Sequence, residues 1–164
     1  MVGTRATFVR TPGCNKDCAF CDTNWKVRGN RLPDVWRPRR EVEWVWLTGG
    51  EPLWQEGVKD FVDTLRAERW KVAVETNGTL PLPTHFDHVC VSPKGGWNEL
   101  AITKADDLKV IVPSFRPSEY CGFDAKHKFV QPEWNRFRGI EEISTQVPRG
   151  WRLSMQNHKF WGVR

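Results

Sequence analysis

The chain has 164 residues, of which 39% are hydrophobic and 27% charged, with a formal net charge of +5 and five cysteines. This composition excludes a disordered chain, and no run reaches the apolar length of a membrane span or a secretory signal core. An odd cysteine count in what reads as a single cytoplasmic domain over 1–164 also argues against a disulfide framework, so metal binding or catalysis is expected of the cysteines.

In chain order, the first apolar run is "ATFV" at 6–9, followed at 11–25 by "TPGCNKDCAFCDTNW". The basic residues are densest in "KVRGNRLPDVWRPRR" at 26–40, where Gly29, Pro33 and Pro38 interrupt any helix, so the segment is read as a solvated loop rather than a nucleic-acid patch. Further runs are "EWVWL" at 43–47, "KVAVE" at 71–75, "HVCVS" at 88–92, "LKVIV" at 108–112, "KFVQ" at 128–131 and "RLSMQ" at 152–156. Their length, β-branched content and flanking Gly or Pro predict buried strands. Trp54, Val58, Phe61, Val62 and Leu65 fall on one helical face, and Ile140, Ile143 and Val147 suggest a later helix. Strands alternating with crossovers predict an α/β fold with a largely parallel sheet covered on at least one face. The polar loops "TGGEP", "TNGT", "SPK", "PS" and "QP" follow its strands, and ligands bind at such carboxyl ends.

Cys14, Cys18 and Cys21 offer three thiolates on one loop without a fourth nearby. A structural zinc site wants four ligands, and the next candidates, His85, His88 and Cys90, are far along the chain. A 4Fe–4S cluster on three cysteines leaves one iron open to a ligand.

The Cys-x3-Cys-x2-Cys spacing, with Phe20 before the last cysteine, resembles the signature of radical S-adenosylmethionine (SAM) enzymes, and "TGGEP" resembles their glycine-rich motif. Within that superfamily the chain resembles the 7-carboxy-7-deazaguanine synthase family from about Gly3 to Arg164. The pieces that carry the likeness are "FVRTPGCNKDCAFCDT", "LTGGEP", "VETNGT", "VSPK", "LKVIV", "FVQP" and "RLSMQNHKFWGVR". The resemblance implies a partial (β/α) barrel of mostly parallel strands, reduced in size. It implies a carbon–nitrogen lyase that turns 6-carboxy-5,6,7,8-tetrahydropterin into 7-carboxy-7-deazaguanine with loss of ammonia, on the route to queuosine-type 7-deazapurines. A 4Fe–4S cluster, catalytic SAM and Mg2+ are the implied cofactors. A homodimer fed by a flavodoxin- or ferredoxin-type reductant is implied as well, with no direct nucleic-acid or membrane partner.

Carried over residue by residue, Cys14, Cys18 and Cys21 hold the cluster, and SAM chelates the open iron. Phe20, Gly49, Gly50, Glu51, Glu75, Ser92, Pro93, Lys94 and Gln131 match positions that hold SAM. Thr23 matches the Mg2+ ligand, a hard oxygen donor, with a simple hydroxyl turn as its bland alternative. Arg10, Thr48, Gln156, His158 and Arg164 match substrate contacts, and Gln156 and His158, as alternate residues of a strand, are expected to face the same way. No catalytic side chain beyond the cluster and SAM is implied, and Cys90 and Cys121 are read as bystanders. The rival readings are a glycyl-radical-enzyme activase, which shares the cysteine spacing, and a metal-stabilised basic nucleic-acid module. The family also has a Gln-Gly-Glu-Gly stretch that clasps the pterin before the first strand. Only nine residues precede Arg10 here, so Met1 is expected to be internal to a longer chain, the alternative being an abbreviated pocket.

Overall fold

The apolar runs pair side by side in the order in which they occur along the chain. They give one seven-stranded sheet in which every neighbouring pair is parallel. The structure is a computed structural model, and it describes residues 4–21, 29, 32, 38, 41–134, 136–137, 139–160 and 162. The strands are β1 (Ala6–Thr11), β2 (Trp44–Gly49), β3 (Lys71–Thr76), β4 (His88–Val91), β5 (Lys104–Val112), β6 (Asp124–Pro132) and β7 (Arg152–Leu153). Strictly sequential parallel order is the order of a β/α barrel. Among the described residues β1 and β7 do not pair, so the sheet stays open and the barrel is partial.

Parallel neighbours need a crossover, and between β2 and β3 helix α1 (Val58–Ala67) supplies it. Its Val58, Val62 and Leu65 recur at helical spacing and bury one stripe against a core containing Val45, Leu47, Val72 and Val74. Burial of each such side chain is worth roughly 1.5–3 kcal/mol. Asp60 in the first turn and Arg66 in the last suit the helix dipole. The helix stops where Arg69 takes a left-handed conformation (φ 68°) and the Trp70 N–H closes on the Leu65 carbonyl at 3.0 Å. Trp54 does not belong to this helix: it ends a 3-10 turn at Pro52–Trp54 and is 40% exposed. Helices α2 (Ile140–Ser144) and α3 (Asn157–Phe160) are short, and Val147 lies beyond α2.

Strand parity divides the sheet into two faces. Val45, Leu47, Val72, Val74, Val91 and Val110 point to the side covered by α1. The opposite, inner face carries Arg10 beside Thr48 and Glu75 beside Cys90, with Lys109 and Gln131 further round. Two strands run longer than the apolar pattern suggests, since β5 begins at Lys104 and β6 at Asp124. The C-terminal run is shorter: β7 covers only Arg152–Leu153, and the chain then coils into α3. Gln156 and His158 are therefore not alternate residues of one strand, which corrects the expectation of a shared direction.

Candidate functional site

The cysteine loop leaves β1 at Thr11 and is laid against the loop that follows β2 by direct main-chain contact. The Gly50 N–H donates to the Thr11 carbonyl and the Glu51 N–H to the Gly13 carbonyl, both at 3.0 Å. The Gln55 amide adds a bond of 2.8 Å to the Pro12 carbonyl. Such proximity needs glycine: a Cβ on Gly50 would stand 1.6 Å from the Gly13 oxygen, and one on Gly49 (φ 114°) 2.6 Å from the Thr11 backbone. Because these two amides are consumed, what the loop offers an incoming amino group is its carbonyl oxygens.

Glu51 is only 1% exposed, and its carboxylate is already occupied. It accepts from Thr76 Oγ1 at 2.7 Å, the Asn77 N–H at 2.7 Å and the Leu53 N–H at 3.0 Å. Burial pushes its carboxyl above the ordinary range despite those donors, with the Asn77 amide the strongest opposing influence. Glu51, expected among the SAM contacts, has its side chain engaged as a strut between the glycine loop and the end of β3. A second tie runs from the "TNGT" loop to the cysteine loop. Asn77 Nδ2 donates to Asn15 Oδ1 at 2.8 Å, Asn15 Nδ2 to Thr79 Oγ1 at 2.9 Å, and the Thr79 N–H back to Asn77 Oδ1 at 2.9 Å. Sequence reasoning assigned no role to Asn15, Asn77 or Gln55. The signal was present in Asn-Gly after a strand, which marks a turn whose side chain is free to reach sideways.

All three loop cysteines are half-buried, reduced thiols. Burial raises the pKa of Cys14 and Cys18, and for both the neighbouring thiols push the same way, so the sulfurs face a common space. Among the described residues no three Cys, His, Asp or Glu are placed to share one metal ion. Three soft thiols on one loop, with no fourth ligand beside them in sequence, suit an iron–sulfur cluster with each thiolate on its own iron. Metal binding would supply the deprotonation that burial opposes. Thr23 and Arg164 lie outside the described residues.

Around this loop the inner face presents the remaining candidates. Glu75 pairs with Lys109 at 2.8 Å. Burial pushes the Glu75 carboxyl up, but Lys109, aided by Lys94 and Arg10, holds it below its ordinary value. The Ser92 N–H donates to the Thr76 carbonyl at 2.8 Å, and Pro93 is buried behind it. Lys94 Nζ donates to Ser92 Oγ at 2.7 Å and to the Ser92 carbonyl at 2.8 Å. Burial, reinforced by the Lys109 charge, brings its pKa down to about 8. Gln131 is buried at the end of β6 and accepts from Ser154 Oγ at 3.3 Å. Phe20 meets Phe115 edge-on, with ring centroids 5.8 Å apart. Gln156 Oε1 is buried with no partner among the described residues, an acceptor left for a donor from elsewhere. His158 sits in α3.

Comparison with known proteins adds three findings. The radical SAM superfamily profile matches residues 8–103. Curated 7-carboxy-7-deazaguanine synthases align over almost the whole chain. That of Bacteroides thetaiotaomicron is 38% identical over 99% of this chain and 90% of its own. Those of Bradyrhizobium diazoefficiens and Burkholderia multivorans are 34% and 33% identical, covering 91% and 90% of their own lengths. The crystal structure of QueE from Escherichia coli superposes with a TM-score of 0.66 at 24% identity, over 94% of this chain and 86% of that one, and bears on the fold.

Proposed function

The chain belongs to the radical SAM superfamily and, within it, to the 7-carboxy-7-deazaguanine synthase family, and on that premise we propose that it converts 6-carboxy-5,6,7,8-tetrahydropterin to 7-carboxy-7-deazaguanine and ammonia. The substrate's atoms equal those of the product plus one ammonia, so the step is redox-neutral overall, in keeping with catalytic use of SAM. Superfamily membership implies a SAM-bound 4Fe–4S cluster, and the convergent thiols of Cys14, Cys18 and Cys21 fit it. When bound, that group supplies one electron for cleavage of SAM, and with it an oxidant able to take a hydrogen atom from the substrate.

The chain's own residues bind and orient. The Gly50 and Glu51 amides are spent on the cysteine loop, and the carbonyls of the Gly49–Gly50 loop suit an ammonium. Glu75, Ser92, Lys94 and Gln131 ring the space beyond it for the adenosyl half of SAM. Arg10, on the inner face beside Thr48, has the donor geometry for the pterin carboxylate. Phe20 and Phe115 supply an apolar wall that limits water. The same proposal places Mg2+ on Thr23, pairs the chain as a homodimer and draws its electron from a small flavodoxin- or ferredoxin-type protein.

The observation that carries this reading is the main-chain docking of the cysteine loop on the glycine loop, next to a paired carboxylate at a strand's carboxyl end. The test is anaerobic incubation of reconstituted protein with the pterin, SAM, Mg2+ and reductant. Formation of the deazaguanine acid with one ammonia per turnover is expected. SAM cleavage only in the presence of a glycyl-radical partner protein would replace this reading with the activase one. Thr23→Ala should slow turnover and weaken its Mg2+ dependence while leaving the iron content unchanged, and loss of iron would remove Thr23 from the Mg2+ site.

A further inference from the structure

Glu75 and Lys109 belong to strands that are not neighbours, since β4 lies between β3 and β5. Two strand spacings set their backbones about 10 Å apart, yet Lys109 Nζ reaches Glu75 Oε2 at 2.8 Å. The bridge passes over Cys90. Glu75 is in register with Cys90 and Cys90 with Asp107, and Lys109 lies two residues further along the same face. Cys90 is buried, 5% exposed, and small enough to be spanned.

An ion pair on the inner wall of a barrel is not needed for packing, because apolar residues of similar volume generally serve as well or better. This pair also sits at the carboxyl end of β3, where ligands of such sheets bind, and the Glu75 side chain is 33% exposed there. Among the described residues Oε1 of Glu75 has no hydrogen-bond partner. The charged and titratable groups facing the carboxylate are Lys109 from β5, Lys94 from the segment after β4, Arg10 from β1 and Cys90 from β4. Lys94 spends its hydrogen bonds on Ser92. Among the described residues only Lys109 is hydrogen-bonded to the Glu75 carboxylate.

We propose that Lys109 is a positioning residue that takes Oε2 of Glu75 and thereby fixes Oε1 as an ionised acceptor for the hydroxyl donors in the adenosyl half of SAM. This rests on the reading of the site as a SAM site. Without Lys109 the strongest influence lowering the Glu75 pKa is gone, and with only Lys94 and Arg10 left to oppose desolvation the pKa rises. The carboxyl would then take a proton as the pH falls, and the acceptor would become a poorly directed acid.

The experiment measures equilibrium binding of SAM to the reconstituted holoenzyme, cluster oxidised so that no turnover occurs, from about pH 5 to about 7, below the range in which Lys94, brought down to about 8, loses its proton. Wild type should bind with a nearly flat profile. Lys109→Met should weaken binding roughly tenfold at the acid end, with the loss growing as the pH falls, and Lys109→Arg should restore the flat profile. Product formation by Lys109→Met at saturating SAM should stay close to wild type, so that the defect lies in KM rather than kcat. The double variant Glu75→Gln/Lys109→Met removes both charges of the pair and decides the matter if Lys109→Met does not fold. It should bind SAM weakly with no pH dependence. Wild-type affinity and profile in Lys109→Met, or wild-type affinity in the double variant, would overturn the proposal alone. Failure of the wild-type holoenzyme to bind SAM would remove the SAM-site reading and this inference together.

Discussion

Around the cysteine loop backbone meets backbone, with amides of Gly50 and Glu51 on carbonyls of Thr11 and Gly13. Around Gln131 and Ser154, across the same ligand face, one hydroxyl reaches one amide oxygen at 3.3 Å. The first contact has no room for a Cβ, while the second can lose a side-chain atom and let water replace it. Tolerance to substitution should therefore differ sharply between the two regions even though both serve one pocket.

The harshest test is Gly50→Ala. Its methyl would stand 1.6 Å from the Gly13 oxygen, so the cysteine loop must leave its dock. Destabilisation of about 3 kcal/mol or more is expected, along with loss of reconstituted iron as complete as in Cys14→Ala. Iron analysis and thermal unfolding report both, and normal iron in Gly50→Ala would break the contrast.

Glu51→Gln comes next, because donors are aimed at both carboxyl oxygens and an amide nitrogen accepts from none of them, whereas a carboxyl oxygen accepts whether or not the group is protonated. A cost of about 2 kcal/mol is expected. The sign with pH is specific: the Glu51 pKa is raised in the fold above its ordinary 4.5, so its stabilising contribution is fully present below that value and is lost as the pH rises through the folded pKa. Wild type should exceed Glu51→Gln most in acid, and urea unfolding at several pH values should show the gap narrowing upward. A gap that widens with pH would contradict the burial argument.

Cys90 sharpens the comparison from the side-chain half. Cys90→Ala should keep its iron, since Cys90 lies outside the loop triplet and burial pushes its thiol up to about 12. Cys90→Leu should also keep iron but obstruct the Lys109 bridge, raising the KM for SAM roughly tenfold. An unchanged KM would mean that the bridge has another path. The mildest change is Ser154→Ala, which should cost less than about 1 kcal/mol and leave iron content unaltered.

The sequence made the strands visible where the apolar runs are continuous, as in β1 to β4. It hid the first halves of β5 and β6 because Asp106, Asp107, Lys126 and His127 read as loop. In the sheet these charges are strand residues paired laterally: Asp106 accepts from the Val89 N–H at 2.9 Å and from Lys126, and Asp107 meets His88 at 3.1 Å. Trp54 matched the helical period, but period fixes an angle only if the backbone is helical there, and Pro52 starts a 3-10 turn. Motif spacing located the cysteine loop and the glycine loop. It was silent on which way Glu51 points, since residue identity does not state orientation. Lys109 did leave a trace: a lone cation inside "LKVIV" has no apolar reason to be there.

The strictly sequential strand order also bears on how the protein is made. Each strand finds its partner in the segment synthesised just before it, so no pairing waits for a distant end of the chain. The hydrogen bonds that join the cysteine loop to the loops after β2 and β3 are complete at Thr79, before half of the 164 residues exist, and only Glu99, which pairs with Lys16, and Phe115, which meets Phe20, come later among the described residues. At the ribosome, the thiols can be gathered and shielded while β5 to β7 are still unmade, which shortens the time that three reactive sulfurs spend on an unfolded nascent chain.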